Sequence, residues 1–405
     1  MKYNFDRVIN RKNTCSIKYE PSWRGKPDDV LPLWVADMDF PAPPCVQEAL
    51  IRRAKHGIFG YSEPDAEYFD VMRKWFDVRF NWAIQRDWLT ITPGVVNALY
   101  IAVRALTEPG DGIVIQQPVY YPFESSIRQT GRQLLVNELI YSEECGEKRG
   151  LFRYTIDFND FEEKIKQAKL FIMCNPHNPV GRVWNLDELT RMGEICLRYG
   201  VNVIADEIHE DFIFPGHRHL VFAALNQEFA DITVTCTSPS KTFNLAGLMN
   251  ANIFISNKEL RGKFKEEYVR CGLSQPGIMG LSACKAAYQD GAQWLDQLID
   301  YLTKNMLLLK TYLSCNIPKI KLIEPEGTYL AWLDCNELGL SAQKLDETVT
   351  QKGKLWLSAG YSFGKGGNGF QRMNAACPRS VLQNALERLK SVDWEKARHE
   401  STTSL

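Results

Sequence analysis

Three short polar segments of the chain carry an amide, a carboxylate and an amine, and each follows an apolar run typical of a β-strand. The segments are Asn-Pro-His-Asn-Pro-Val-Gly at 175–181, Ala-Asp-Glu-Ile-His at 205–209 and Ser-Pro-Ser-Lys-Thr-Phe at 238–243. Asn178, Asp206 and Lys241 supply the three groups. Because ligands of open α/β sheets bind beyond the carboxyl ends of the strands, we expect these side chains to share one site.

These groups match what pyridoxal 5′-phosphate (PLP) requires of a protein. An amine can hold its aldehyde as an imine, a carboxylate can keep its pyridine nitrogen protonated, and a third group can donate to its phenolate oxygen. The protonated ring then takes up the electrons of a carbanion at the substrate Cα. Taken alone, Lys241 could be a surface lysine, and Asp206 could be a helix cap or a metal ligand. Their ordered combination favours PLP, and we expect no metal.

The backbone amides of Val95 and Val96 are candidates for binding the phosphate of this cofactor. They lie in Thr-Pro-Gly-Val-Val-Asn-Ala-Leu at 92–99, a pattern that turns from a strand into a helix. Amides at the start of a helix point outward and favour an anion. The hydroxyls of Ser238 and Ser240 could add donors from the loop before Lys241.

Arg372 is the candidate for binding a substrate carboxylate, because a guanidinium offers two parallel donors that match a carboxylate. The alternative is a structural salt bridge. Just before it, Gly-Lys-Gly-Gly-Asn-Gly at 364–369 superficially resembles a phosphate-binding loop. The strand, turn and helix context that such a loop requires is missing, so we interpret this segment as a flexible lid or a turn near the substrate.

The composition indicates a globular protein that acts on a small molecule. The chain has 405 residues, of which 45% are hydrophobic and 24% charged, and its formal net charge is −1. This balance predicts neither a nucleic acid nor a membrane as partner. The polar N-terminus and the lack of a long apolar run predict no signal peptide and no membrane span. Eleven scattered cysteines without a Cys-x-x-Cys pair predict a reducing cytoplasm.

The order of strand-like and helix-like segments around these groups predicts an α/β fold with two domains. Apolar runs at 113–115, 170–173, 201–205 and 232–235 alternate with helical patterns, which predicts a large domain over 49–290 whose mostly parallel sheet is flanked by helices. A long amphipathic helix over 294–305 then precedes further strands at 327–332 and 355–358. We expect a smaller α+β domain made of residues 1–48 and 291–405.

Longer motifs resemble those of a known family. The three segments around Asn178, Asp206 and Lys241 are similar to those of fold-type I, PLP-dependent aminotransferases over most of the chain. The resemblance narrows to the cystathionine β-lyases of the MalY/PatB type through four motifs, which are Trp-Val-Ala-Asp-Met-Asp-Phe-Pro at 34–41, Asn-Pro-His-Asn at 175–178, Asp-Glu-Ile-His at 206–209, and Phe-Gln-Arg-Met-Asn at 370–374 with Ala-Cys-Pro-Arg at 376–379.

The resemblance implies a role for each of the three groups. It implies that Lys241 binds PLP as a Schiff base, that Asp206 pairs with the pyridine nitrogen, and that Asn178 hydrogen-bonds the ring oxygen and also takes part in substrate binding. It also matches Tyr120 to an aromatic residue that stacks on the cofactor ring, a task that suits a flat π-face. The alternative for Tyr120 is a core tyrosine. His209 either tunes the Asp206 carboxylate or fills a polar pocket beside it.

Two further features bear on the phosphate. The resemblance matches Tyr61 to a phosphate ligand donated by a neighbouring subunit, which implies a homodimer with shared active sites; the alternative is an ordinary loop aromatic. Many aminotransferases place an arginine several residues after the lysine, whereas Leu-Ala-Gly-Leu-Met at 245–249 offers no cation. This departure fits the lyase group, which also tends to lack that arginine.

The functional hypothesis is α,β-elimination on an L-amino acid with sulfur on Cβ, such as cystathionine or another cysteine S-conjugate. Lys241 would remove the Cα proton, and Lys241 or Tyr120 would protonate the leaving thiol, with pyruvate and ammonia as the other products. One alternative is a PLP-dependent aminotransferase. A second is a regulatory or binding protein that retains PLP. The sequence does not identify the preferred sulfur compound.

Overall fold

The structure is a computed structural model that describes residues 3–143 and 152–402. The strands within these residues are β1 Leu31–Pro32, β2 Leu89–Thr92, β3 Gly112–Gln117, β4 Gln133–Glu138, β5 Ile140–Glu143, β6 Phe152–Thr155, β7 Ala168–Cys174, β8 Asn202–Asp206, β9 Thr233–Thr237, β10 Ala251–Phe254, β11 Lys321–Ile323, β12 Leu330–Asp334, β13 Leu355–Trp356, β14 Ser358–Ala359 and β15 Phe370–Asn374. The α-helices are α1 Pro44–His56, α2 Ala66–Phe80, α3 Val95–Leu106, α4 Pro122–Arg128, α5 Phe158–Ile165, α6 Leu186–Arg198, α7 Gln227–Asp231, α8 Pro239–Thr242, α9 Lys258–Arg270, α10 Ile278–Asp290, α11 Ala292–Asn316, α12 Ala342–Gln351, α13 Arg379–Lys390 and α14 Trp394–Thr402.

The larger sheet has seven strands in the order β2-β10-β9-β8-β7-β3-β4. Strand β10 is antiparallel to both of its neighbours, and every other neighbouring pair is parallel. The four apolar runs noted in the sequence lie in or overlap β3, β7, β8 and β9. These strands are almost wholly buried because helices cover both faces of the sheet. The prediction of a mostly parallel sheet flanked by helices is confirmed.

The sequence of α6 explains where this helix begins and which of its faces is buried. Asn185 and Glu188 form a reciprocal capping box at its start, which satisfies two of its free backbone amides. The buried side chains Leu189, Met192 and Ile195 recur at helical spacing and join the apolar core that also holds residues of β7 and β8. Helix α3, in contrast, begins after Gly94 with no side-chain cap, so its first amides remain available.

The smaller sheet is antiparallel, with the order β11-β12-β15-β14. It follows α11, which is longer than the predicted helix over 294–305. The N-terminal strand β1 pairs in parallel with β13, so the start of the chain joins its C-terminal part. The predicted boundary at residue 49 lies inside α1, which packs along α10. The division into domains at 48/49 and 290/291 stays a prediction.

Two further properties follow from the described residues. Their ten cysteines are all free. None of their helices combines the length and the apolar character that crossing a membrane requires.

Candidate active site

The ends of the larger sheet bring most of the predicted site residues into one cavity of about 230 Å³. Asp206 ends β8, Asn178 follows β7, and Lys241 lies in the short helix α8 that follows β9. The predicted residues that line the cavity are Val95, Val96, Tyr120, Asn178, Asp206, His209, Ser238, Ser240, Lys241 and Arg372. Tyr61 is absent from this lining, and its side chain is 96% exposed on the same chain.

Lys241 donates from Nζ to the backbone oxygen of Ala36 over 3.1 Å. Burial lowers the pKa of this amine to about 8, with a further lowering by Arg372 that Asp37 and Asp206 oppose. A larger fraction of the amine is therefore neutral near neutral pH than in an ordinary lysine. A neutral amine can act as a nucleophile and as a base.

Asp206 lines the cavity and is 4% exposed. Its Oδ1 accepts a hydrogen bond from the amide of Ile208 over 3.2 Å. Burial raises the pKa of this carboxyl to about 7, although the Ile208 amide and the Lys241 charge partly offset the rise. The described residues provide no ion-pair partner within 4 Å, so the carboxylate form needs a cationic partner from outside the protein.

Arg372 reaches the cavity from β15 of the smaller sheet. Its Nη1 donates to Oδ1 of Asn178 over 3.0 Å, and its Nη2 donates to the oxygen of Trp34 over 2.7 Å and to Oγ of Ser358 over 3.1 Å. Its Nε is buried without a partner, and among the described residues no carboxylate pairs with this guanidinium. Burial lowers the pKa of Arg372 to about 10. The side chain remains a cation, and its geometry does not match the structural salt bridge considered from the sequence.

His209 is a neutral, buried imidazole between charged neighbours. Burial lowers its pKa well below the usual value, and the charges of Lys241 and Arg372 lower it further. Its ring lies 5.9 Å from the ring of Tyr329 in an edge-on arrangement, and its Nδ1 has no partner. In the part of the chain that the structure describes, no hydrogen bond joins His209 to Asp206. The site therefore holds an imidazole nitrogen that is free to meet a ligand.

The end of the cavity beside α3 combines backbone amides with one free hydroxyl. Val95 and Val96 are the first two residues of α3, where amides have no partner within the helix. Ser238 is different from the prediction: its Oγ donates to the oxygen of Asn250 over 2.7 Å and accepts from the amide of Ser240 over 3.1 Å. Since a hydroxyl has a single proton, Ser238 serves as the N-cap of α8 here, and Ser240 remains as the hydroxyl donor.

Two neighbouring tyrosines follow β3. The amide of Tyr120 donates to the oxygen of Asn178 over 3.2 Å, which joins two of the loops that line the cavity. Burial raises the pKa of Tyr120 to about 12, so its phenol stays protonated and can donate. Tyr121 also lines the cavity and is 53% exposed. No sequence pattern separated this residue from other aromatic residues in loops.

Other lining residues come from parts of the chain for which no role in the site was predicted. Trp34, Val35 and Ala36 belong to the motif at 34–41, and Ser358 belongs to β14. The glycine-rich segment at 364–369 does not line the cavity; it contains a 3₁₀ turn over Lys365–Gly367. This outcome agrees with the turn that was one of the two interpretations of that segment.

A buried group of possible metal ligands follows Asp206 in the chain. Donor atoms of Glu207, Glu210 and His219 lie within 4.8 Å of one another. Glu207 already accepts from Nε2 of His219 over 3.0 Å and from the amide of Phe222 over 2.9 Å. Burial raises the pKa of Glu210 well above its usual value, which favours a neutral carboxyl. These hydrogen bonds and the neutral carboxyl of Glu210 stabilise the group without a bound cation. The absence of a metal stays a prediction.

Comparisons with known proteins agree with this arrangement. The profile of the family described as Aminotransferase class I and II matches residues 28–389. Cystathionine beta-lyase PatB of Bacillus subtilis (strain 168) is 45% identical over 391 residues, which cover 96% of this chain and 99% of that protein. Protein MalY of Escherichia coli (strain K12) is 34% identical over 389 residues, covering 95% and 97%.

A solved structure extends the likeness to three dimensions. The crystal structure of cystalysin from Treponema denticola, which contains a pyridoxal 5′-phosphate cofactor, has a TM-score of 0.91 and 39% identity to this chain. The match covers 99% of this chain and 100% of that chain. The fold-type I architecture and the resemblance to the MalY/PatB type are confirmed. The chain belongs to the aminotransferase class I and II family.

Proposed function

We propose that this protein is a PLP-dependent C–S lyase that cleaves L-cystathionine or related cysteine S-conjugates into a thiol, pyruvate and ammonia. The observation that carries the proposal is the convergence of Lys241, Asp206 and Arg372 on one cavity. The names of the relatives agree with it, since PatB is named a cystathionine beta-lyase. The elimination requires an amine to act as base and a cation to hold the substrate carboxylate, and the cavity offers both.

The residues of the cavity fit PLP. Asp206 forms no ion pair within the described residues, and a protonated pyridine nitrogen would provide one. The amides of Val95 and Val96, with the hydroxyl of Ser240, suit the phosphate. A second set completes the proposed cofactor site, with Asn178 and His209 for the ring oxygen, Tyr120 for stacking, and Ser238 as the cap that orients α8.

When bound, PLP supplies an aldehyde that can link to an amine and a ring that can take up electrons from the substrate. Lys241 would hold the cofactor through its amine, and that amine would be free to act once an amino-acid substrate takes its place. Arg372 supplies the cation for the substrate carboxylate, with Nε as the donor that no described residue uses, and so helps to fix the position of Cα. Asp206 would hold the cofactor at its ring nitrogen, where the negative charge of the carboxylate would stabilise the protonated form.

Two side chains can move the protons of the elimination. Lys241 removes the proton from Cα, a step that its lowered pKa favours because the amine is neutral more often. Lys241, now protonated, or the Tyr120 phenol then gives a proton to the departing sulfur as the C–S bond breaks. Water converts the remaining three-carbon unit to pyruvate and ammonia, so that atoms and protons balance.

We further propose that the active form is a cytoplasmic homodimer in which Tyr61 of each subunit completes the phosphate site of the other. The supporting observation is that Tyr61 is almost fully exposed on its own chain and lies outside its own cavity. The side chains of Ile58 and Phe59 are exposed as well, so Tyr61 belongs to a short run of exposed apolar residues. Grouped exposure of large apolar side chains is typical of a contact with another protein.

The experiment that tests the function combines the purified protein with PLP and L-cystathionine and follows pyruvate, thiol and the cofactor spectrum together. Equal amounts of pyruvate and thiol with an unchanged visible band support the lyase. A pyridoxamine-type spectrum that a 2-oxo acid reverses, without thiol, would identify an aminotransferase instead. A protein that binds PLP, turns over no amino acid and retains a protein partner would favour the regulatory alternative.

A further inference from the structure

The segment 34–38 crosses the site as irregular backbone, and side chains from other elements bind its carbonyl groups. Asn374 donates from Nδ2 to the oxygens of Val35 and Asp37, each over 2.7 Å. Arg372 donates to the oxygen of Trp34 over 2.7 Å. A buried segment outside a sheet must find such partners, because an unpaired carbonyl in the interior is costly.

The carbonyl oxygen of Ala36 accepts two hydrogen bonds, one of them from the amine of Lys241. It accepts from Nζ of Lys241 over 3.1 Å and from the phenol of Tyr329 over 2.8 Å. Both acceptor positions of this oxygen are therefore in use. The segment 34–38 therefore connects the two cationic side chains of the site. Its Ala36 carbonyl binds the amine of Lys241, and its Trp34 carbonyl binds the guanidinium of Arg372.

Tyr329 is built to hold this carbonyl rather than to meet a ligand. It is fully buried just before β12, and it does not line the cavity. Burial raises the pKa of its phenol well above the usual value, so the hydroxyl stays protonated and donates. Its ring packs edge-on against Phe212, with the ring centres 4.8 Å apart, which fixes the direction of the hydroxyl.

We propose that Tyr329 is a positioning residue for catalysis: it fixes the carbonyl of Ala36, which in turn holds the free amine of Lys241 in place while that amine acts as the base. The proposal rests on the proposed function, because it concerns the step in which Lys241 removes the Cα proton. Proton transfer depends steeply on the geometry of donor and acceptor. If the amine of Lys241 were no longer held in one position, this step would be slower, whereas substrate binding would be unchanged.

The test compares Tyr329→Phe with the matched control Tyr154→Phe. Tyr154 is equally buried, and its hydroxyl accepts from Nε1 of Trp332 over 3.1 Å outside the cavity. The holoproteins are incubated with L-alanine in D₂O, and exchange of the Cα hydrogen is followed by NMR. L-Alanine has no leaving group on Cβ, so exchange reports the base step alone, whether or not the protein cleaves C–S bonds.

We expect Tyr329→Phe to exchange about tenfold more slowly, which is the effect of about one lost hydrogen bond. Its cofactor content and its affinity for L-alanine should stay within about twofold of wild type, and Tyr154→Phe should match wild type throughout. The pH titration of the visible cofactor band should shift in Tyr329→Phe only, because that band reports the surroundings of the Lys241 nitrogen.

Other results would overturn the proposal. It fails if Tyr329→Phe exchanges as fast as wild type, or if its slower exchange is matched by Tyr154→Phe or by an equal loss of cofactor. Asn374→Ala is a second variant that tests the same proposal. It removes the hydrogen bonds to the carbonyls on both sides of Ala36, so the segment should be less well held and exchange should again be slower. Exchange in wild type without thiol release from L-cystathionine would refute the lyase alone, whereas neither exchange nor thiol release in wild type would refute both proposals.

Discussion

The guanidinium of Arg372 donates to the side-chain oxygen of Asn178 over 3.0 Å. The residue proposed for the substrate carboxylate is thus coupled directly to a residue proposed for the cofactor ring. Asn178 uses its oxygen on Arg372, so its Nδ2 is the group left to donate to a ligand. The two binding functions share one buried hydrogen bond that links the two sheets of the molecule.

Substitution of Arg372 should weaken substrate binding more than it slows chemistry. We expect Arg372→Ala to raise KM for L-cystathionine about 100-fold, since the cation that binds the carboxylate is lost. Arg372→Lys should raise it about tenfold, because an ammonium keeps the charge but cannot make the hydrogen bonds that hold the guanidinium against Asn178, Trp34 and Ser358. Steady-state kinetics measure both effects. Arg388→Lys, outside the cavity, is the control; unchanged KM in Arg372→Ala would show that another group holds the carboxylate.

The larger sheet and the three central groups could be predicted because each depends on a local pattern. Apolar runs that end in polar loops identify β7, β8 and β9, and parallel strands place Asn178, Asp206 and Lys241 at one edge. These inferences need no knowledge of how distant parts of the chain pack together. The predicted residues that line the cavity come mainly from such loops.

The remaining features depend on long-range contacts that no local pattern encodes. The role of segment 34–38 follows from contacts with residues about 200 to 340 positions away in the sequence, such as Lys241 and Asn374. The hydrogen bond of the Ser238 hydroxyl could not be predicted for a similar reason, because its acceptor, the oxygen of Asn250, lies on the other side of α8 in the sequence. Such contacts become visible only once the chain is folded.

Asp206 should make the stability of the cofactor-free protein depend on pH. Burial raises its pKa to about 7 in the folded chain, whereas its ordinary value is 3.8. Between these values the folded state keeps a proton that the unfolded state loses, so the stabilisation is full below about pH 4 and is lost as pH rises through 7. The three-unit difference corresponds to about 4 kcal/mol at most.

Asp206→Asn isolates this contribution because an amide does not titrate. We expect the melting temperature of the cofactor-free variant, relative to wild type, to rise between pH 4 and pH 7 and then to level off. Thermal melts of both proteins across this range measure the difference. A constant difference at every pH would mean that Asp206 ionises normally in the folded chain. Added PLP should stabilise wild type more than the variant, since only a carboxylate pairs with a protonated ring nitrogen.

Lys241 should account for both turnover and the visible spectrum of the bound cofactor. We expect Lys241→Ala to lose pyruvate release and the imine band, because no other lysine lines the cavity within the described residues. Absorbance spectra and the pyruvate assay measure the two losses in one sample. Lys263→Ala, on the surface of α9, should keep both. A Lys241→Ala protein that retained the band would require a different lysine as the cofactor link.

Tyr61 allows a direct test of shared active sites. If Tyr61 of one subunit completes the site of the other, Tyr61→Ala and Lys241→Ala homodimers should each have little activity. A mixed dimer, however, contains one site with both the intact lysine and the intact tyrosine. Random pairing makes about half of the dimers mixed, so refolding equal amounts of the two variants together should restore about a quarter of wild-type activity.

The mixing experiment distinguishes sites shared between subunits from sites that each subunit completes alone. If Tyr61 acted within its own subunit, both sites of a mixed dimer would be defective, and mixing would restore nothing. Trp23→Ala, which removes another exposed aromatic side chain, is the control and should be active without mixing. Size-exclusion chromatography of the same samples shows whether dimers form at all. A monomeric protein with full lyase activity would contradict the dimer, because the exposed Tyr61 could then serve no neighbouring site.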